Sequence, residues 1–133
     1  LATSDHVRFW NDVTEIHKTY QPWELLHVGN CGSPLETDAG WLVLTHGVGP
    51  MRRYALSAVL LDVADPRRVI GHLPAPLLTP DETEREGYVP NVLYSCGGLI
   101  NGDTLVLPYG FSDHGIRIAL ISVPELLANL QRS

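Results

Sequence analysis

The sequence has few of the features that mark several large classes of protein. It contains only two cysteines, Cys31 and Cys96, with no Cys-x-x-Cys spacing, so there is no disulfide framework and we expect two reduced thiols. The six histidines are scattered without paired ligand spacing, which gives a metal site little support. A basic surplus is missing too, because the net charge is −6. This charge argues against a nucleic-acid or anionic-membrane partner.

Long apolar runs and targeting signals are also absent. No stretch approaches the roughly 18–20 apolar residues that cross a bilayer, so we expect no membrane partner. The first five residues contain neither an initiator methionine nor the charged-then-apolar pattern of a signal peptide. We therefore expect a cytoplasmic chain that is a piece of something longer. Its 133 residues, of which 44% are hydrophobic, suffice for one domain with a core.

A repeated β unit is the main feature that the sequence does contain. Residues 42–47 read Leu-Val-Leu-Thr-His-Gly and align with residues 105–110, which read Leu-Val-Leu-Pro-Tyr-Gly. Self-similarity at a spacing of about 60 residues predicts a repeated structural unit. In each copy a polar side chain, His46 or Tyr109, stands where the apolar strand ends. Repeat-built β folds usually place their binding groups at such positions.

The remaining pattern predicts two antiparallel units joined by a long loop. Strands are expected at 22–29 (weakly), 41–45, 54–63, 69–73, 104–109 and 116–122, with a C-terminal helix at 124–131. The first repeat should span about 40–73 and the second about 91–123 within one partial domain, 1–133. The proline-rich segment 74–90 is expected to be a loop whose acidic run, 81–86, is solvated. Such units fit a propeller better than a sandwich.

Two blades cannot close a propeller ring, because a blade buries its faces only against its neighbours. About two blades alone would leave large apolar surfaces exposed. We therefore expect either self-association or missing N-terminal blades to cover them.

Several motifs, in the right order along nearly the whole chain, resemble glycoside hydrolase family 130. The motifs are Trp23-Glu24, the segment 32–42 with Pro34, Thr37 and Gly40-Trp41-Leu42, His46-Gly47-Val48, Leu60-Leu61-Asp62 with Asp65-Pro66, Glu84-x-x-Gly87 with Pro90-Asn91-Val92, and Tyr109-Gly110-x-x-Asp113. That family comprises inverting β-mannoside phosphorylases and related mannosidases. The resemblance implies an all-β fold, about two blades of a five-bladed β-propeller with a short C-terminal helix. It matches only the C-terminal part of the family's length.

The same resemblance implies roles for three residues. His46 would face phosphate, Asp113 would accept hydrogen bonds from hydroxyls of the mannosyl ring, and Tyr54 would belong to the same wall. Donor groups that hold phosphate and carboxylates that bind sugar hydroxyls suit this chemistry. Structural roles remain open for His46 and for Asp113 as a turn aspartate, and Trp41 is expected in the core. The family's catalytic aspartate has no counterpart that we identify in this chain.

One departure from the family pattern bears on the reaction. Phosphorylases of the family show Pro-x-Lys-Thr where this chain has Pro34-Leu35-Glu36-Thr37. Two like charges 4 Å apart repel by about 4 kcal/mol at an effective dielectric constant near 20, so Glu36 beside a phosphate would oppose its binding. A carboxylate there could instead act as the general base of an inverting hydrolysis.

The sequence therefore favours a hydrolase-like protein that acts on β-mannosides or mannooligosaccharides, with Glu36 as the candidate catalytic base. The first alternative is a β-mannoside phosphorylase, for which inorganic phosphate would be the co-substrate. The second is a non-catalytic carbohydrate-binding or structural propeller fragment. No metal and no cofactor are expected under any of the three.

Overall fold

The fold is built from antiparallel sheets with one short helix near the C-terminus. A computed structural model describes residues 1–132. The elements in chain order are β1 (Ala2–Thr3), β2 (Asp12–Val13), β3 (His27–Asn30), β4 (Leu35–Thr37), β5 (Gly40–Val48), a 3-10 turn (Pro50–Arg52), β6 (Tyr54–Leu61), β7 (Val69–His72), β8 (Leu93–Tyr94), β9 (Leu99–Asn101), β10 (Thr104–Phe111), β11 (Gly115–Ser122), α1 (Val123–Asn129) and β12 (Gln131–Arg132). The predicted fold class, two antiparallel blade-like sheets with a short C-terminal helix, is confirmed.

The first sheet is centred on the hairpin of β5 and β6. Its strand order is β12-β7-β6-β5-β3, and β4 pairs with the other end of β5. The hairpin is paired continuously from Trp41 opposite Leu61 to Val48 opposite Tyr54. Both strands are apolar on their two faces, which is typical of strands that are covered on both sides. Seven of the eight residues of β6 are buried accordingly.

The second sheet repeats this design around the hairpin of β10 and β11. Its order is β11-β10-β8, and β9 also pairs with β10. After β11 the chain enters α1, where the Ser122 side chain accepts a hydrogen bond from the Glu125 amide and a proline occupies the first turn. Both are usual features of a helix N-terminus.

The core lies between these two sheets. Alternate residues of each strand point to the same face, so one apolar side of the first sheet packs against one apolar side of the second. The buried contributors include Leu42, Leu44, Leu56, Ala58, Leu93, Leu105, Leu107 and, from the helix, Leu126. This packing brings the ends of β5 and β10 to the same edge of the molecule.

The opposite face of the second sheet is open. Ile116, Ile118 and Leu120 alternate along β11 and are 81%, 63% and 71% exposed. Three large apolar side chains in a row form a patch of the kind that usually contacts another surface. That further blades or a second copy cover this face stays a prediction.

The sheets extend beyond the strands that the sequence predicts. The first sheet also includes β4 and β12, and β12 pairs with β7 through Gln131 opposite His72. The helix ends at Asn129, so the predicted helical position Gln131 is extended instead. Strands of two to four residues carry too few positions for a periodicity, and their pairing is decided by the neighbouring strand.

The acidic run is not uniformly solvated, and for Glu84 that prediction is wrong. Glu84 is only 2% exposed, whereas Glu82 and Glu86 are exposed. A buried carboxylate is tolerated when donors surround it, and Glu84 accepts hydrogen bonds from Tyr109, Arg117 and the amide of Asp81. The segment before it is also anchored, since the amides of Leu77 and Leu78 both donate to the carbonyl of Leu56.

Over residues 1–132, no helix has the length and apolar character that a membrane span requires.

Candidate functional site

His46 lies near the end of β5, on the face that packs against the second sheet. The residue opposite it on β3 is Gly29. A Cβ atom at position 29 would lie 2.4 Å from Cε1 of the imidazole, which is far inside van der Waals contact. The imidazole therefore occupies the space that a side chain at position 29 would need. Gly29 is the residue that allows His46 its observed position.

Polar aromatic rings surround the His46 imidazole. The ring centroids of His27 and Tyr94 each lie 5.7 Å from it, and Tyr54 stacks nearly parallel to it at 6.2 Å. On the buried side, Nδ1 of His46 is 3.6 Å from Sγ of Cys31. The cluster thus combines residues of β3, β5, β6 and β8, and it spans both sheets. It presents ring N–H and phenol O–H groups beside apolar ring faces.

The environment disfavours the charged form of the His46 ring. Burial lowers its pKa from 6.5, and the neighbouring His27 lowers it further. Burial raises the pKa of the Cys31 thiol to about 11, so this group remains a thiol at neutral pH. A neutral imidazole carries one N–H donor and one acceptor nitrogen. His46 can therefore donate a hydrogen bond to an anion without being charged beforehand.

We expect the depressed pKa of His46 to make the protein less stable in mild acid. The folded state takes up the proton at a lower pH than the unfolded state, so stability rises with pH through that interval. The free energy of unfolding should therefore fall as pH is lowered through 6.5, the ordinary histidine value. His46→Gln should remove that part of the dependence, while His6→Gln on the exposed N-terminal segment should leave it. Urea unfolding between pH 5 and 7.5 measures both, and an unchanged profile in His46→Gln would contradict the prediction.

Asp113 lies in the tight turn that joins β10 to β11. The His114 amide donates to the carbonyl of Phe111 at 2.9 Å. The two residues between them, Ser112 and Asp113, have φ values of 48° and 50°. Positive φ at both central positions is the pattern of a type I′ turn, which favours asparagine and glycine over most other residues. The Asp113 carboxylate is exposed at the end of this turn.

An open hollow of about 580 Å³ lies beside this turn. Its wall includes Asp113, His114, Tyr109 and Tyr94. Tyr94 also contacts the His46 ring, so it joins the hollow to the His46 cluster. The wall is mainly apolar and also carries a carboxylate, an imidazole and two phenol groups. Sugars are bound by such combinations of ring faces and hydrogen-bonding groups.

The structure thus brings His46 and Tyr54 together and connects them with Asp113 through Tyr94. It does not bring Glu36 to the same place. Glu36 on β4 pairs with Trp41 on β5, and Trp41 is five residues from His46 along that strand. Because five is odd, Glu36 and Trp41 lie on the opposite face of the sheet from His46. The separation along the strand is roughly 17 Å at about 3.4 Å per residue. This placement gives no support to a general base that acts beside His46.

Trp41 is half-buried on that opposite face, away from the hollow. Sequence reasoning missed Tyr94, His27 and Cys31 as neighbours of His46. A signal for Cys31 exists in the repeat, because Cys31-Gly32 and Cys96-Gly97 occupy similar places in the two units. The backbones of these two segments meet, so that a Cβ at Gly32 would lie 2.3 Å from the carbonyl oxygen of Cys96. Tyr94 gave no such signal.

Known proteins match this chain along nearly its full length. A family model described as beta-1,4-mannooligosaccharide phosphorylase, of glycoside hydrolase family 130, matches residues 1–132. A 1,2-beta-oligomannan phosphorylase of Thermoanaerobacter sp. (strain X514) is 38% identical over 128 residues, 95% of this chain and 43% of the relative. A beta-1,2-mannobiose phosphorylase of the same organism is 39% identical over 100 residues, 74% of this chain and 33% of the relative.

A solved structure shows the same fold. The beta-1,2-mannobiose phosphorylase from Listeria innocua, in complex with beta-1,2-mannobiose, superposes with a TM-score of 0.85 at 31% sequence identity. The match covers 96% of this chain and 37% of that one. This chain therefore spans less than half the length of the relatives that it matches.

Proposed function

The chain belongs to glycoside hydrolase family 130, and from this we propose that it forms the part of a β-mannoside phosphorylase that holds phosphate and the mannosyl ring. The observation that carries the proposal is the joined site of His46, Tyr94 and Asp113. It offers a donor for an anion at one end and a carboxylate acceptor for sugar hydroxyls at the other. The matched relatives are named as phosphorylases of β-1,2-linked mannosides.

Phosphorolysis is a better proposal than the hydrolysis predicted from Glu36. The expected repulsion of about 4 kcal/mol required a separation near 4 Å. Glu36 lies roughly 17 Å along the sheet from His46 and is exposed, and beyond about 8–10 Å salt screens most of such an interaction. Glu36 therefore does not oppose phosphate bound at His46.

In the proposed reaction, a phosphate oxygen forms a bond to the anomeric carbon of the β-mannoside as the glycosidic C–O bond breaks. The products are mannose 1-phosphate and the saccharide shortened by one residue. Attack on the face opposite the leaving oxygen inverts the anomeric configuration. The leaving oxygen takes up a proton, which by family resemblance comes from an aspartate whose counterpart we do not identify in this chain.

Within this reaction the chain's own residues bind and orient. The N–H of His46 donates to a phosphate oxygen, and charge-assisted bonds of this kind are stronger than neutral ones. Asp113 accepts hydrogen bonds from ring hydroxyls, which fixes the mannosyl unit against Tyr94. Tyr54 supports the imidazole by stacking on it at 6.2 Å. Holding both reactants in line is a large part of such catalysis.

When this chain is joined to the remaining part of a family-length protein, which would supply the proton donor, we expect β-1,2-mannobiose to be cleaved only in the presence of inorganic phosphate, with mannose 1-phosphate as a product. On the protein itself, phosphate should shift the His46 imidazole resonances in an NMR titration, and mannobiose should shift the Asp113 amide. His46→Gln should weaken phosphate binding by about 10- to 100-fold, the value of one hydrogen bond to a charged group.

The matched control is Glu36→Gln, which should leave phosphate binding unchanged because Glu36 is remote from His46. Release of mannose without phosphate would overturn the proposal in favour of hydrolysis. Mannobiose binding with no turnover in either condition would favour a carbohydrate-binding role instead.

A further inference from the structure

An ionic cluster with a buried carboxylate lies beside the turn that carries Asp113. Its centre is Glu84, whose side chain is 3% exposed. Oε1 of Glu84 accepts hydrogen bonds from the Tyr109 hydroxyl and from Nη1 of Arg117, each at 2.8 Å. Oε2 accepts from the backbone amide of Asp81 at 3.0 Å. Both oxygens of the carboxylate are therefore occupied by donors.

The cluster contacts the two strands, β10 and β11, that lead into and out of the turn. Tyr109 on β10 pairs with Arg117 on β11. This pair is two positions further from the turn than the pair of Phe111 and Gly115, which flanks it. The Arg117 guanidinium lies 4.8 Å from the centre of the Phe111 ring, and Phe111 accepts the hydrogen bond that closes the turn. Arg117 also bonds Asp81 and Thr83, so it joins the loop 81–86 to the hairpin.

The loop 84–92 also contacts the turn directly, through hydrogen bonds to Ser112. The Ser112 hydroxyl donates to the backbone carbonyl of Glu84. The Ser112 amide donates to the carbonyl of Val92 at 2.9 Å, and its carbonyl accepts from the amide of Val89. Gly87 lies so close that a Cβ there would be 2.1 Å from the Ser112 carbonyl oxygen. Ser112 is fully buried by these contacts.

These contacts explain how two non-glycine residues remain in left-handed backbone conformations. Each such residue costs on the order of 1–3 kcal/mol and persists only where the surroundings over-determine it. The surroundings here are the loop 84–92 on one side and the Tyr109–Arg117 pair on the other. Glu84 takes part in both, through its carboxylate and through its carbonyl.

We propose that Glu84 is a positioning residue, which holds the Ser112–Asp113 turn in the conformation that aims the Asp113 carboxylate at the mannosyl ring. The direction of aim rests on the function proposed above; the hold on the turn does not. Glu84 touches no substrate itself. It acts through its contacts with Arg117, Tyr109 and Ser112. The acidic run, through Glu84, therefore helps to hold the site in place.

Glu84→Gln tests the inference with little change of shape. Oε1 accepts two hydrogen bonds and Oε2 accepts one, so the amide NH₂ of glutamine must face at least one donor, and at least one bond is lost. Amide hydrogen exchange at His114 and Val89 should accelerate by about tenfold or more, as expected for a lost hydrogen bond to a charged group. Exchange in the β5–β6 hairpin should stay unchanged. Glu82→Gln, an exposed change in the same run, is the matched control and should alter neither.

The affinity for β-1,2-mannobiose gives the second readout. Glu84→Gln should weaken it about three- to tenfold, and should weaken it no further when Asp113 is already replaced by asparagine, because the two changes act on one interaction. A general structural role would instead add to the effect of Asp113→Asn and would lower protection throughout both sheets.

Unchanged exchange at His114 and Val89 would overturn the inference. Faster exchange with unchanged mannobiose affinity would overturn the link between the turn and the sugar. If the unsubstituted protein binds no mannobiose, the proposed function fails by itself, and the exchange measurement still decides whether Glu84 holds the turn.

Discussion

Leu107→Ala is expected to lower the free energy of unfolding by about 2–5 kcal/mol. Leu107 has no solvent-accessible surface and lies in the middle of β10, on the face that packs against the first sheet. Its removal takes away apolar contact and leaves a cavity between two paired sheets, which cannot close it without breaking their register. Urea unfolding followed by tryptophan fluorescence measures the loss, and the dependence on urea concentration should keep its slope.

Leu120→Ala is the control for this prediction. Leu120 is on β11, but on the opposite face of the same sheet, and is 71% exposed. Its replacement should change stability by no more than about 0.5 kcal/mol. Equal losses for the two variants would contradict the assignment of the buried face. A large loss at Leu120 alone would mean that a second surface covers the open face in solution.

Gly29→Val is expected to weaken phosphate binding by about 10- to 100-fold, the value of a hydrogen bond to a charged group of about 1.5–3 kcal/mol. A Cβ at position 29 would lie 2.4 Å from Cε1 and 2.8 Å from Nε2 of His46. The imidazole is the end of a rotatable side chain, so we expect it to swing away while the strand pairing remains. Its stacking on Tyr54 and its contact with Cys31 should be lost with it.

An NMR titration with inorganic phosphate measures the affinity, and the His46 resonances report the displacement. Gly71→Ala is the matched control, because Gly71 lies in the same sheet and a Cβ there would be no closer than 3.4 Å to any neighbour. That variant should bind phosphate like the unsubstituted protein. Unaltered phosphate affinity in Gly29→Val would show that the observed position of His46 is not needed for binding.

The long strands of this protein could be predicted from local sequence. β5, β6, β10 and β11 are eight or nine residues long, mainly apolar, and bounded by glycine and polar turns. Mainly apolar segments bounded by turn residues are typical of buried strands, and their recurrence indicates the repeat. His46 could be selected as well, because it stands where the apolar run of β5 ends.

The short strands and the buried charge could not be predicted in this way. Glu84 stands in a run of charged residues whose composition indicates a solvated loop, and its burial depends on donors from Tyr109 and Arg117, 25 and 33 residues further along the chain. The donors are far apart in sequence, so no local pattern contains them. Tyr94 is likewise in a two-residue strand that only its pairing with β10 defines.

Glu36 is a residue for which the sequence predicted a contact that the structure does not contain. Its position in a family motif suggested a role beside phosphate, but the pairing of β4 with β5 places it on the opposite face from His46. A side chain's face alternates with every residue, so a contact cannot be deduced from spacing in a motif without the register of the strands.

The sequence by itself determined that this is an antiparallel β protein of two repeated units, because apolar runs and turn residues act over a few neighbours. It also selected His46, which stands near the end of an apolar strand, and, through the family resemblance, Asp113. Only the tertiary structure decided that Tyr94 joins these two residues, that Glu84 is buried behind the Asp113 turn, and that Glu36 lies elsewhere. These outcomes depend on strand register and on how one sheet packs on the other, and both are set by contacts between residues distant in the chain.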